Sequence, residues 1–67
     1  MTETVDARGL RCPWPVLRLA RAMRGANRVT ILADDPQAPG EIAALATEQG
    51  WIVTPSGADG FLVDKGS

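Results

Sequence analysis

The chain has no histidine, no tyrosine and a single cysteine, and these absences remove most site chemistry. A structural zinc site takes about four Cys or His ligands, and a Ser-His or Cys-His nucleophile pair needs an imidazole. Neither can be built here, and one Cys cannot close an internal disulfide of the kind small secreted domains rely on. No stretch approaches the roughly 18 apolar residues of a membrane span. The segment Met1-Thr2-Glu3-Thr4-Val5-Asp6 has two acids and no basic or apolar region, so it does not read as a secretory signal. A water-soluble protein with a cytoplasmic address and no membrane association is the expectation. Any chemistry must be thiol chemistry at Cys12 or depend on a partner, with no metal and no cofactor expected.

What the chain does contain is enough for one domain, residues 1–67, in which 45% apolar residues build a single thin core. A domain of this size buries about 60% of its unfolded surface, leaving no room for a large internal pocket. Its net charge of −1 conceals an uneven distribution. Through position 28 there are six arginines (8, 11, 18, 21, 24 and 28) against Glu3 and Asp6, a sum of +4; beyond it Lys65 stands against six acids, a sum of −5. A polarised molecule of this kind suits docking to a partner with complementary patches. Near-neutrality argues against unspecific nucleic-acid binding.

Hydrophobic periodicity predicts the element order βαβαββ. Thr4 to Ala7 is a short strand closed by Gly9. Residues 13 to 24 form a helix whose core face is Val16, Leu19, Ala20 and Met23, with Arg18, Arg21 and Arg24 opposite, Leu17 among them, and Gly25 as its terminating glycine. Arg28 to Ala33 is a strand with Val29, Ile31 and Ala33 inward, broken by Asp34-Asp35-Pro36. A second helix runs from about Pro39 to Gln49 with Ile42, Leu45, Ala46 and Gln49 on one stripe, stopped by Gly50. Trp51 to Thr54 and Gly60 to Lys65 are the last strands, joined through Pro55 to Asp59, and Gly66-Ser67 is a short tail. Right-handed crossovers place both helices on one sheet face, so the fold class is a two-layer α/β (α+β) sandwich with its other face open. Trp51 and Phe61 are assigned to the core; Trp14 is a core lid or an exposed contact.

Most information lies in Cys12-Pro13-Trp14-Pro15. Two prolines in three positions are tolerated only in a first helical turn, whose N–H groups lack intrahelical acceptors. They set the helix start and place Cys12 at or beside the N-cap, where the helix dipole favours a negative sulfur. With Arg8 and Arg11 nearby, the thiol is expected to ionise below the usual value of about 8.5, in roughly the 3.5 to 7.5 range. Lone cysteines are often small buried hydrophobes, but a proline-locked helix start beside Arg11 and the Gly9 turn points to a reactive thiol.

Asp6-Ala7-Arg8-Gly9-Leu10-Arg11-Cys12-Pro13-Trp14-Pro15 resembles the D-x-x-G-L-x-C-P-x-P signature of the TusA/SirA-like sulfur-carrier family. The resemblance continues through Ala33-Asp34-Asp35-Pro36 and Glu41-Ile42 to Lys65-Gly66. It implies a βαβαββ sandwich with a mixed four-stranded sheet, and a carrier that takes sulfane sulfur onto Cys12 from a cysteine desulfurase or rhodanese-type donor. The sulfur would pass to an acceptor protein in tRNA thiolation, molybdenum-cofactor biosynthesis or sulfur oxidation. Asp6, Arg8, Gly9, Arg11, Pro13 and Pro15 would support or activate the thiol. Leu17, Arg18, Arg21, Arg24, Asp34 and Asp35 would meet partners, Arg21 standing where the family commonly has Lys. The carrier is expected to act as a monomer, a relay rather than a stand-alone turnover enzyme, with no direct contact to nucleic acid. Two other functions fit the residues: a regulatory or interaction domain using Cys12 as a redox sensor, and a small RNA-binding module.

Overall fold

A computed structural model describes residues 2–66; Met1 and Ser67, the end of the expected tail, lie outside the described residues. Helix α1 (Trp14–Gly25) follows Pro13 as its capping residue and carries Pro15 in its first turn, where a missing N–H leaves no hydrogen bond unmade. Gly25 does not end it in a left-handed conformation. It is the last helical residue, and the chain leaves through Ala26 at φ −140° because a strand begins two residues later. Helix α2 (Ala38–Gln49) has Pro39 in its first turn and stops as expected at Gly50, whose φ of 78° is left-handed.

Four strands, β1 (Thr2–Asp6), β2 (Arg28–Leu32), β3 (Ile52–Ser56) and β4 (Gly60–Asp64), form one mixed sheet in the order β1-β2-β4-β3. β1 and β2 are parallel, and β4 is antiparallel to both β2 and β3. The third strand is displaced toward the C-terminus from its expected place: Pro55 and Ser56 belong to it, and only Gly57 to Asp59 remain as the hairpin turn. β3 is an edge strand, so the absent proline N–H costs no ladder bond there.

The core combines Leu19 and Met23 of α1, Ile42 of α2, and Val29, Ile31 and Val63 of the sheet, closed by Ala7, Ala33 and Ala38. Pro15 is also buried, whereas Val16 and Ala20 are only partly so. Gln49 is exposed; the covered stripe of α2 is Ala38, Ile42 and Ala46, with the apolar Leu45 half-buried, and the polar end of the helix stays in water. Trp51 and Phe61 pack partly buried against the cluster. The opposite sheet face carries Thr4, Thr30, Leu62 and Thr54 in one row and the Arg28–Asp64 ion pair, 3.0 Å, beside Ile52 in the next. Among the described residues no helix is long and apolar enough to cross a membrane.

One topological fact positions the site. Parallel β1 and β2 end at the same edge of the sheet, so the helices that follow them start there together. Cys12, two residues before α1, and Glu41 in the first turn of α2 are thereby neighbours across 29 positions of sequence.

Candidate functional site: a thiol held by carboxylates

The loop from Ala7 to Pro13 is held by the segment that enters α2. Gly9, at φ 84°, turns the chain and donates its N–H to Asp34 Oδ1 at 2.9 Å. The Cys12 N–H donates to Asp35 Oδ2, whose other oxygen accepts from the Gln37 N–H at 3.2 Å. The Trp14 N–H closes onto the Arg11 carbonyl at 2.8 Å, starting the helix. Cys12 precedes Pro13 through a cis peptide and is partly buried.

Its Sγ donates to Glu41 Oε2 at 2.6 Å, and the second carboxylate oxygen, Oε1, is buried without a hydrogen-bond partner among the described residues. The consequence reverses the expected thiol chemistry. Glu41 accepts the thiol proton, burial disfavours the thiolate, and the negative charges of Glu41 and Asp35 add to both, pushing the Cys12 thiol up to about 11. Two carboxylates thus outweigh the helix start. The arginines do not compensate. Arg8 is bound to Asp6, Nε to Oδ1 at 3.0 Å and Nη2 to Oδ2 at 3.0 Å, which holds the Asp6 carboxyl down at about 2. Arg11 is exposed.

Of the residues expected to support the thiol, Gly9, Pro13 and Pro15 shape its loop and helix start, while Asp6 and Arg8 serve each other. Asp34 and Asp35, expected to meet partners, anchor the Cys12 loop from within the chain. Leu17, Arg18, Arg21 and Arg24 are exposed as expected, and Trp14 joins them with 58% of its surface accessible. Trp14, Leu17, Arg18 and Arg21, at i, i+3, i+4 and i+7, make one continuous stripe on α1 that begins two residues after the sulfur. Arg18 and Arg21 also border a shallow groove against Glu3 and Val5 of β1, from which Arg24 is absent. A second depression beside the thiol loop is lined by Gly9, Leu10, Arg11, Asp34, Asp35 and Pro36.

Glu41 is the site residue whose role the sequence reading missed. The available signal was topological: successive parallel strands bring their following helix starts together, so an acid in the first turn of α2 faces the segment that leads into α1. Among the described residues no group of three or more His, Cys, Asp or Glu is placed to hold a metal ion.

The family model described as sulfurtransferase TusA matches residues 3–60. Two proteins of Neisseria meningitidis, one from serogroup A and one from serogroup B, both named "putative sulfur carrier protein", are each 38% identical to the chain over 55 residues, covering 78% of this chain and 74% of theirs. The crystal structure of a SirA-like protein from Desulfitobacterium hafniense superposes with a TM-score of 0.70 at 27% identity, over 91% of this chain and 90% of that one.

Proposed function

Because the chain belongs to the TusA sulfurtransferase family of sulfur carriers, we propose that residues 1–67 act as one carrier domain loading sulfane sulfur as a persulfide on Cys12. The carrying observation is a lone thiol at the junction of two helix starts, opening beside an exposed stripe that a macromolecule can grip. The donor is a persulfide-bearing protein of the desulfurase or rhodanese class, and a second protein accepts the sulfur. These steps occur in the cytoplasm, feeding tRNA thiolation, molybdenum-cofactor assembly or sulfur oxidation. The carrier works as a monomer without direct nucleic-acid contact.

Trp14 and Leu17, half or more exposed, supply apolar grip next to the sulfur, and Arg18 and Arg21 supply charge. Aromatic and Arg side chains are the residue types that dominate interface energetics. The redox-sensor alternative requires a low-pKa, accessible sulfur, and the carboxylate-held thiol works against it. The RNA-binding alternative draws on a platform of base-stacking aromatics, but Trp51 and Phe61 pack toward the core, which leaves Trp14 as a single exposed aromatic rather than a platform.

The test is mass spectrometry after incubation with a persulfide-loaded desulfurase. Wild type gains one sulfur atom, localised to Cys12, and Cys12→Ser gains none. Sulfur uptake by Cys12→Ser at the wild-type rate refutes the assignment. The variant is expected to fold, because Pro13 rather than Cys12 caps α1 and the serine hydroxyl can donate to Glu41 in place of the thiol.

A further inference from the structure

The surroundings of Cys12 are unusual for a nucleophile. Its N–H and its S–H are both held by carboxylates, Asp35 from the loop after β2 and Glu41 from α2. The other charged groups of this end of the molecule are engaged elsewhere or exposed: Asp34 accepts from Gly9, Arg8 pairs with Asp6, and Arg11 and Asp59 face solvent. Among the described residues, no cation touches the sulfur.

We infer that Glu41 determines which reagents Cys12 reacts with: its carboxylate, holding the thiol proton where the starts of α1 and α2 meet, keeps the free protein's sulfur closed to small electrophiles, and a docked persulfide donor opens it by displacing that carboxylate. The first half stands on the geometry; the second rests on the carrier reading. The displacement has a structural handle in Glu41 Oε1, buried without a partner among the described residues. A buried acceptor left unpaired is costly, so a carboxylate in this state gains when a docking surface supplies a donor or cation to draw it off the thiol.

Magnitudes support selective reactivity. With the thiol at about 11 rather than the ordinary 9.0, roughly one molecule in 10⁴ carries a thiolate at pH 7 instead of about one in 10². Transfer itself needs no oxidant. Cys12 sulfur attacks the outer sulfur of R–S–S–H, a new S–S bond forms at Cys12, and the donor S–S bond breaks with its electron pair leaving on the inner sulfur. That sulfur takes up the proton Cys12 gives up, yielding Cys12–S–S–H and R–S–H.

The experiment compares wild type, Glu41→Gln and Glu41→Ala in two reactions. The first is alkylation by iodoacetamide as a function of pH. Both variants should move the inflection down from about 11 toward 9. At pH 7 they should react about tenfold faster, the roughly 100-fold gain in thiolate being offset by the lower nucleophilicity of a less basic sulfur. The second is sulfur uptake from a saturating persulfide-loaded desulfurase, where the variants should gain far less over wild type than they do in alkylation because the donor performs the release itself. Unchanged alkylation profiles in both variants would overturn the gate. Uptake accelerated as strongly as alkylation would overturn release by the donor. A shifted alkylation profile with no uptake by any of the three proteins refutes the carrier reading and upholds the gate.

Discussion

Cys12 keeps its proton to high pH because Glu41 accepts it, burial disfavours the charged form and Asp35 adds a second negative charge nearby. Linkage turns this into a stability dependence of definite sign. The folded thiol ionises at about 11 and the unfolded one near 9.0. Its contribution is therefore fully present below pH 9 and is lost as pH rises through 11, the unfolded chain releasing its proton first. Urea midpoints of wild type and Cys12→Ser should keep a constant separation up to about pH 9 and then shift, wild type losing stability faster. Parallel curves to pH 11 would show that the thiol is not held by Glu41. Asp6 has the opposite sign: Arg8 lowers its carboxyl from 3.8 to about 2, so that pair's contribution is present above 3.8 and fades as pH falls toward 2.

Two glycines at element ends do different work. Gly50 ends α2 in the left-handed region with open space where a Cβ would stand. Gly50→Ala therefore costs only backbone strain, about 1 to 2 kcal/mol. Gly60 opens β4, and a Cβ there would lie 2.2 Å from the Ser56 carbonyl oxygen and 3.2 Å from Leu32 Cδ2. Gly60→Ala must push apart the backbone of the β3–β4 hairpin, with a cost of about 3 kcal/mol or more. In a domain this small that approaches the whole net stability. Denaturant midpoints should rank wild type above Gly50→Ala and Gly50→Ala above Gly60→Ala. The reverse order for the two variants would mean that the hairpin relaxes freely.

Across the whole molecule, charge is divided by function. The acids Asp34, Asp35 and Glu41 gather at the thiol, while Arg18, Arg21 and Arg24 run along the outside of α1. For a partner docking over the sulfur, Trp14 and Leu17 would lie nearest to it, then Arg18 and Arg21; Arg24 lies about 15 Å along the helix from Trp14. Individual exposed charges contribute about 0 to 1 kcal/mol, but a row on the approach path raises association rates in a salt-dependent way. Arg18→Glu combined with Arg21→Glu should slow sulfur uptake several-fold at low salt and much less at high salt. The melting temperature and iodoacetamide reactivity should stay near wild type. Uptake independent of these charges at every salt concentration would reduce the stripe to a solvated helix face.

Local signals carried the element order: Pro13 and Pro15 mark the start of α1, Gly50 stops α2, and Val29, Ile31 and Ala33 alternate inward, since each depends on backbone preferences and spacing within a few residues. The uniqueness of Cys12 and its place before a helix were likewise legible. The limits of locality appear at Gly25, where the following strand decided the exit from α1, and at Pro55, where an edge position made room for proline in β3. They are widest at the site. From neighbours in sequence, the helix start and two arginines implied an easily ionised thiol. Parallel pairing of β1 with β2 brought Glu41 onto Sγ from 29 residues away and Asp35 onto the Cys12 N–H from 23. Sequence alone singled out the one thiol and its place before a helix; the tertiary structure decided its protonation, because a charge acts through space and only the fold sets which charges are near.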